Sequence, residues 1–119
     1  MDFRYRGLPW NIVFGVGSLE RLPAEMDGIS CTSALVLTTP AQASDGHRIA
    51  DLLGDRCVGL FDRAAMHVPA RIVAEARDLA GRLGADCTVS IGGGSTTGLG
   101  KALALRANLD NVAIPTTYA

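Results

Sequence analysis

The segment Thr88 to Lys101, TVSIGGGSTTGLGK, limits this chain more than any other part of it. Apolar Val89 and Ile91 run into Gly92, Gly93 and Gly94, then Ser95, Thr96 and Thr97, then a stretch of small residues. Glycines lack Cβ, so they allow positive φ and close approach of a ligand, at an entropic cost that a plain turn does not require. A helix starting just after them offers unpaired N–H donors and a partial positive charge. Strand, glycine turn and helix N-terminus in that order make a cradle for a phosphate. The competing reading is a tight strand-to-helix turn with no ligand.

The rest of the chain alternates strand and helix patterns. Phe3 to Arg6 and Trp10 to Phe14 read as a short N-terminal β-hairpin whose edge calls for a covering subunit. Phe14-Gly15-Val16-Gly17-Ser18 reads as a tight turn, with Ser18 capping a helix over Leu19 to Met26. Ser33 to Leu37 is an apolar strand that stops at Thr38-Thr39-Pro40. A helix is expected over Gln42 to Leu53, with Gly54 as its stop, and a strand over Cys57 to Phe61. A loop over Asp62 to His67, closed by Val68-Pro69, leads into the most regular period in the chain. There Ile72, Val73, Ala76, Leu79, Ala80 and Leu83 form one apolar stripe, and Gly84 follows as a C′ residue. Asp86 to Ile91 feeds the glycine turn, a helix spans Ser95 to Arg106, and Asn111 to Ile114 is the last strand. Gly98 and Gly100 each weaken that last helix by about 1 kcal/mol relative to Ala, so something must pack or bind close to its backbone.

Strands alternating with helices of this length indicate an α/β fold, a Rossmann-like doubly wound parallel sheet. An uninterrupted apolar run such as SALVL suits a strand covered on both faces. The 119 residues, 48% hydrophobic and 19% charged, fit one globular domain over 1–119 with a core of its own. A net charge of −1 argues against non-specific binding to nucleic acid or an anionic membrane. No apolar run is long enough to span a membrane, and the first residues show no secretory h-region. Cys31, Cys87 and Cys57 are far apart and odd in number, which reads as three free thiols in a reducing cytoplasm. The chain stops just after a strand, where such folds place another ligand loop, and so reads as a fragment.

In a doubly wound sheet, ligands sit outside the carboxyl ends of the strands. Four such ends here are rich in glycine or hydroxyls: Gly15 to Ser18, Thr38-Thr39, Gly92 to Thr97, and Thr116-Thr117. The dinucleotide fingerprint GxGxxG is absent. A Walker A loop also fails, because Ser95 stands where its first glycine belongs and Ala102 where its Mg²⁺-binding hydroxyl belongs. A pyrophosphate cradle of another kind remains.

These residues resemble the iron-containing alcohol dehydrogenase superfamily. GGGSTTGLGK is similar to its GGGSxxDxxK motif, and FGVGS, the strand ending in Thr38-Thr39, and the final PTT follow in the family's order. VLTTPAQ, GLFDRAAMHVP, GGGSTTGLGKALAL and VAIPTTYA most resemble the maleylacetate reductase branch. The resemblance implies an NADH- or NADPH-dependent reductase that converts 2-maleylacetate to 3-oxoadipate in the breakdown of aromatic compounds. It also implies two domains, of which the second, all-helical one carries any metal site. That domain is absent here, so no metal ligand is assigned in this chain, which is expected to be inactive alone. Dimerisation through the N-terminal domain is implied too. The rivals are an alcohol or glycerol dehydrogenase of the same superfamily and a non-catalytic nucleotide-binding module.

The cofactor is accordingly expected at Gly15, Gly17, Thr38, Thr39, Gly92, Gly93, Gly94, Ser95, Thr96, Thr97, Thr116 and Thr117. Thr38 and Thr39 stand where an acidic residue would hold a ribose 2′-OH, so both NADH and NADPH are expected to be accepted. His67 and Lys101 are the candidates for a role in the reaction. His67 lies in a loop after a strand, and Lys101 sits about two turns into its helix, leaning back towards the N-terminus. One departure stands out: the family motif has an acidic residue where this chain has Gly98. Its loss suits a dianionic substrate, which a carboxylate would repel.

Overall fold

A computed structural model describes residues 31–114 and the backbone of residues 12–13. Five parallel strands form one sheet: β1 (Ile12–Val13), β2 (Ala34–Leu37), β3 (Cys57–Phe61), β4 (Cys87–Ile91) and β5 (Asp110–Ile114). Their spatial order is β1-β5-β4-β2-β3. Three helices, α1 (Ala43–Leu53), α2 (Ala70–Leu83) and α3 (Gly94–Ala107), connect β2 through to β5, and 3-10 turns at Pro40–Gln42 and Gly54–Arg56 flank α1. This is the expected doubly wound α/β architecture.

The sheet is apolar on both faces. Side chains alternate along a strand. Ala34 and Val36 therefore join Val89, Ile91, Val112 and Ile114 under Ile49 and Leu53 of α1. Leu35, Leu37 and Phe61 face the other way, against Ile72, Val73, Ala76 and Ala80 of α2 and Leu99 and Leu103 of α3. Burying each such Leu or Ile stabilises by about 1.5–3 kcal/mol, which explains why β2, covered on both faces, has no polar residue. The chain moves from β2 to β3 over one face, then back across β2 to β4 and on to β5 over the other. Right-handed crossovers require that change of face when the direction reverses.

The apolar stripe of α2 packs as read, except that Leu83 in its last turn stays exposed. Gly84 (φ 71°) ends the helix, and the Ala85 N–H donates to the Ala80 carbonyl at 2.9 Å, the bond of a Schellman cap. Of the expected hairpin, Ile12–Val13 is a strand and pairs in parallel with β5, Ile12 opposite Val112. Phe3 to Arg6 and the helix over Leu19 to Met26 lie outside the described residues.

The cysteine reading needs correction. Cys31 and Cys87 form a disulfide, and only Cys57 is free. The two are 56 residues apart in sequence, with their Cα atoms 5.6 Å apart. Cys31 leads into β2, Cys87 opens β4, and those strands are neighbours, with Ala34 opposite Cys87. The inference of a reducing compartment from three free thiols loses its basis. Among the described residues, no helix is long and apolar enough to cross a membrane.

Candidate functional site

The connections leaving β2 and β4 run in opposite directions, so the carboxyl ends of these two adjacent strands bound a crevice. This is the switch point at which open α/β sheets bind ligands. The topology brings two of the four expected loops to it. Thr38-Thr39 closes β2, and Gly92-Gly93 links β4 to α3.

The glycine turn is built for close approach. The Gly92 N–H donates to the Ile114 carbonyl at 3.1 Å, tying the end of β4 to the end of β5. Its φ is 128°, a conformation L side chains rarely adopt, and a Cβ there would overlap Gln42 Oε1 and lie 3.0 Å from Thr96 Oγ1. Gln42 thus reaches across from the β2 side of the crevice and lies against Gly92. Sequence reasoning placed Gln42 only as a helix start and missed this contact.

At the N-terminus of α3, the Thr97 N–H donates to the Gly93 carbonyl at 3.1 Å, the first i to i−4 bond of the helix. The N–H groups of Gly94, Ser95 and Thr96 precede that ladder, and the N-cap residue, Gly93, supplies no side-chain cap. Gly93 and Gly94 are exposed and Ser95 is half-buried. Thr96 is buried, and its hydroxyl donates to the Gly93 carbonyl at 3.1 Å. Its proton is thus committed to the turn, and what Thr96 offers a ligand is its N–H. Thr97 is half-buried.

On the other side, Thr38 is an anchor. Its N–H donates to the Phe61 carbonyl at 2.9 Å and its carbonyl accepts from the Ala64 N–H at 3.0 Å. Its side chain is fully buried, Oγ1 finds no hydrogen-bond partner among the described residues, and the space a Cβ on Gly46 of α1 would take lies 2.6 Å from its methyl. Thr39, half-buried at the mouth of the crevice, is the member of the pair placed towards solvent. Gly15, Gly17, Thr116 and Thr117 lie outside the described residues.

His67 is exposed on the turn between β3 and α2, with a φ of 65°, and Val68 after it has a φ of 43°. Val68 packs against α3, since a Cβ on Gly98 would lie 2.8 Å from Val68 Cγ2. The loop carrying His67 is therefore held beside the first turns of α3. Lys101 is exposed and lies roughly 10 Å along the axis from Gly94, at 1.5 Å per residue. Beneath α3, Thr88, Ser90 and Asn111 form a buried polar cluster on the sheet. Sequence reasoning gave these three no role beyond their strands, although three polar residues on the inner face of otherwise apolar strands are a visible signal.

The crevice thus offers helix N–H groups ahead of the hydrogen-bond ladder and, at Gly93 and Gly94, a turn that brings no side chain of its own. It can hold a diphosphate by backbone donation.

The family model for iron-containing alcohol dehydrogenases matches residues 9–119. The chain is 58% identical over 108 residues, 91% of its length, to the maleylacetate reductase of Burkholderia cepacia, of which those residues are 31%. It superposes with a TM-score of 0.85 on the crystal structure of maleylacetate reductase from Agrobacterium tumefaciens, at 45% identity over all of this chain and 34% of that one. The sulfoacetaldehyde reductase of Bifidobacterium kashiwanohense, crystallised in complex with NAD⁺, shares the fold at a TM-score of 0.75 and 18% identity, over 98% of this chain and 36% of that one. The chain spans about a third of the length of the curated relatives it matches.

The family's iron has no suitable place among the described residues. Their one cluster of potential ligands is Cys31, Asp86 and Cys87. Its two sulfurs are bonded to each other, and the Asp86 carboxylate accepts from Thr32 N–H, Ser33 N–H and Thr32 Oγ1 at 2.8–3.2 Å. The cluster also lies at the amino ends of the strands, roughly 13 Å from the crevice along β4.

Proposed function

This chain belongs to the iron-containing alcohol dehydrogenase family, and from that membership we propose that it is the cofactor-binding, N-terminal domain of a two-domain maleylacetate reductase. The reaction is the NADH- or NADPH-dependent reduction of the carbon–carbon double bond of 2-maleylacetate to give 3-oxoadipate, within the degradation of aromatic compounds. The observation that carries the reading is the N-terminus of α3, which starts behind Gly92-Gly93 at the switch point. The similarity to maleylacetate reductases over the whole chain supports the substrate.

The cofactor supplies the hydride. The work of this chain is to bind and orient it. The pyrophosphate is held by the N–H groups of Gly94, Ser95 and Thr96, with Gly93 leaving room for its oxygens. Thr39 faces the adenosine ribose, where a hydroxyl, unlike a carboxylate, tolerates a 2′-phosphate. His67, held beside α3 by Val68, is placed to hold a substrate carboxylate. Lys101, farther down the helix, adds positive charge to the same side. The rest of the substrate site, and any metal, belong to a second, helical domain. The working form is a homodimer.

The test uses the two-domain protein that carries this chain at its N-terminus, followed at 340 nm. Oxidation of NADH or NADPH that depends on 2-maleylacetate and yields 3-oxoadipate is expected. The 119-residue chain alone should bind the nucleotide and turn nothing over. Reduction of NAD⁺ by glycerol or a simple alcohol, with no response to maleylacetate, would replace this reading with that of a dehydrogenase. Nucleotide binding with no turnover in the two-domain protein would leave a binding module.

A further inference from the structure

We infer that Asn111 is a positioning residue for the cofactor-binding turn, an inference that rests on the cofactor reading above. The turn has two arms, β4 leading in and α3 leading out, and Asn111 on β5 touches both. Towards β4, Asn111 stands opposite Thr88 in the sheet. Its Nδ2 donates to Thr88 Oγ1 at 2.8 Å and to Ser90 Oγ at 3.2 Å, and its Oδ1 accepts from Ser90 Oγ at 3.3 Å. Towards α3, its side chain lies under Gly100. A Cβ at position 100 would overlap Nδ2 and come within 2.6 Å of Cγ and 2.9 Å of Oδ1.

All three polar side chains are at most 1% exposed. The same strands carry Cys87, Val89, Ile91, Val112 and Ile114 on their other face, so an apolar filling would be the simpler way to pack this layer. A satisfied polar cluster differs from an apolar one in fixing a single arrangement, because any slip leaves buried donors and acceptors unpaired. Here the arrangement fixed is the height of α3 above β4. The glycine turn between them is short, and Gly92 is already tied to Ile114. The direction in which the N–H groups of Gly94, Ser95 and Thr96 point therefore follows from that height. Gly100, which costs α3 helix stability, is the matching half of the device.

The test is nucleotide affinity of the 119-residue chain, measured by quenching of protein fluorescence on NADPH addition. It is run at a temperature where circular dichroism shows every variant folded. Gly100→Ala lifts the helix off Asn111, and Asn111→Ala removes its seat. Each should weaken binding about tenfold, the scale on which small misplacements act. The double variant, in which the added methyl fills part of the vacated space, should recover most of that loss. Thr88→Val removes one partner of Asn111 at nearly constant volume without touching α3, and should weaken binding about threefold. It serves where a Gly100 variant does not fold. Unchanged affinity in the folded variants, with lowered melting temperatures, would reduce the cluster to a stability element and overturn the inference alone. Failure of the unaltered chain to bind NADPH or NADH would overturn the cofactor reading, and the inference with it.

Discussion

Val68 fills the space that a side chain at position 98 would need. Its Cγ2 lies 2.8 Å from where a Cβ on Gly98 would stand, closer than carbon atoms pack. Gly98 weakens α3, and in return the loop between β3 and α2 closes onto the helix that follows the glycine turn. A steric reason for glycine at position 98 thus stands beside the electrostatic one expected if the substrate is a dianion.

The two causes separate by experiment. Gly98→Ala gains about 1 kcal/mol of helix propensity and loses about 1–3 kcal/mol to overpacking, a net loss that Val68→Ala should relieve. A double-mutant cycle on urea unfolding should show coupling of about 0.5–3 kcal/mol; additive effects would deny the contact. Gly98→Asp and Gly98→Asn bring the same bulk and differ in charge. In the two-domain protein, the Asp variant should have the higher KM for maleylacetate, and equal values would leave packing as the sole reason for glycine.

How far such relationships are legible in the sequence depends on their range. Strand β3 is observed with the bounds read for it, and α2 carries the stripe read for it and ends at Gly84, because an apolar run between Arg56 and Asp62 and a stripe of period 3.6 are local signals. The glycine turn and the C-cap at Gly84 were legible for the same reason. The contacts of Val68 with Gly98, Gln42 with Gly92, Asn111 with Thr88, and Cys31 with Cys87 were not. Each depends on β4 lying between β2 and β5, and no short stretch encodes that order. The glycines at 98 and 100 announced that something approaches α3; only the fold says that it is Val68 and Asn111.

Among the described glycines, Gly92 is the one least tolerant of a side chain. Gly92→Ala adds a methyl that overlaps Gln42 Oε1, on a backbone with φ 128°. Overpacking and strain together should cost about 2–4 kcal/mol in thermal or urea unfolding, and NADPH binding should be lost in the folded fraction. Gln42→Gly in the same chain should return part of the stability by removing the clash, leaving the backbone strain. Unaltered binding by Gly92→Ala would place the nucleotide elsewhere.

Thr39 gives a handle on cofactor choice. Thr39→Asp puts a carboxylate at the mouth of the crevice, where it would repel a 2′-phosphate and accept a hydrogen bond from a 2′-hydroxyl. The unaltered chain should bind NADH and NADPH within about a factor of ten of each other, and the variant should favour NADH by a further ten- to hundredfold, about 1.4–2.7 kcal/mol. Titration of both nucleotides against both chains decides it. An unmoved ratio would show that Thr39 does not face the ribose.

The Cys31–Cys87 disulfide closes a long loop, with 56 residues of separation. Its removal, by dithiothreitol or by replacing both cysteines with serine, should lower unfolding free energy by about 2–4 kcal/mol. Thiol titration in denaturant should find one free thiol before reduction, that of Cys57, and three after it. Three thiols in the untreated protein would reinstate the reading of free cysteines.

Cys57 sets a limit on the alkaline side. Burial pushes its thiol above the ordinary value of 9.0, with the Asp51 carboxylate adding to the shift against an opposing hydrogen bond at Gly59. A thiol that loses its proton less readily when folded than when unfolded leaves stability untouched below its ordinary pKa. Above that point the unfolded chain releases the proton first, so stability falls as pH rises through the interval up to the folded value. Unfolding free energy should therefore decline from about pH 9 upward more steeply in the unaltered chain than in Cys57→Ala. Alkylation of Cys57 by iodoacetamide at pH 8 should be slower in the folded protein than in urea. Equal rates in the two states would mean that the fold does not shield this thiol.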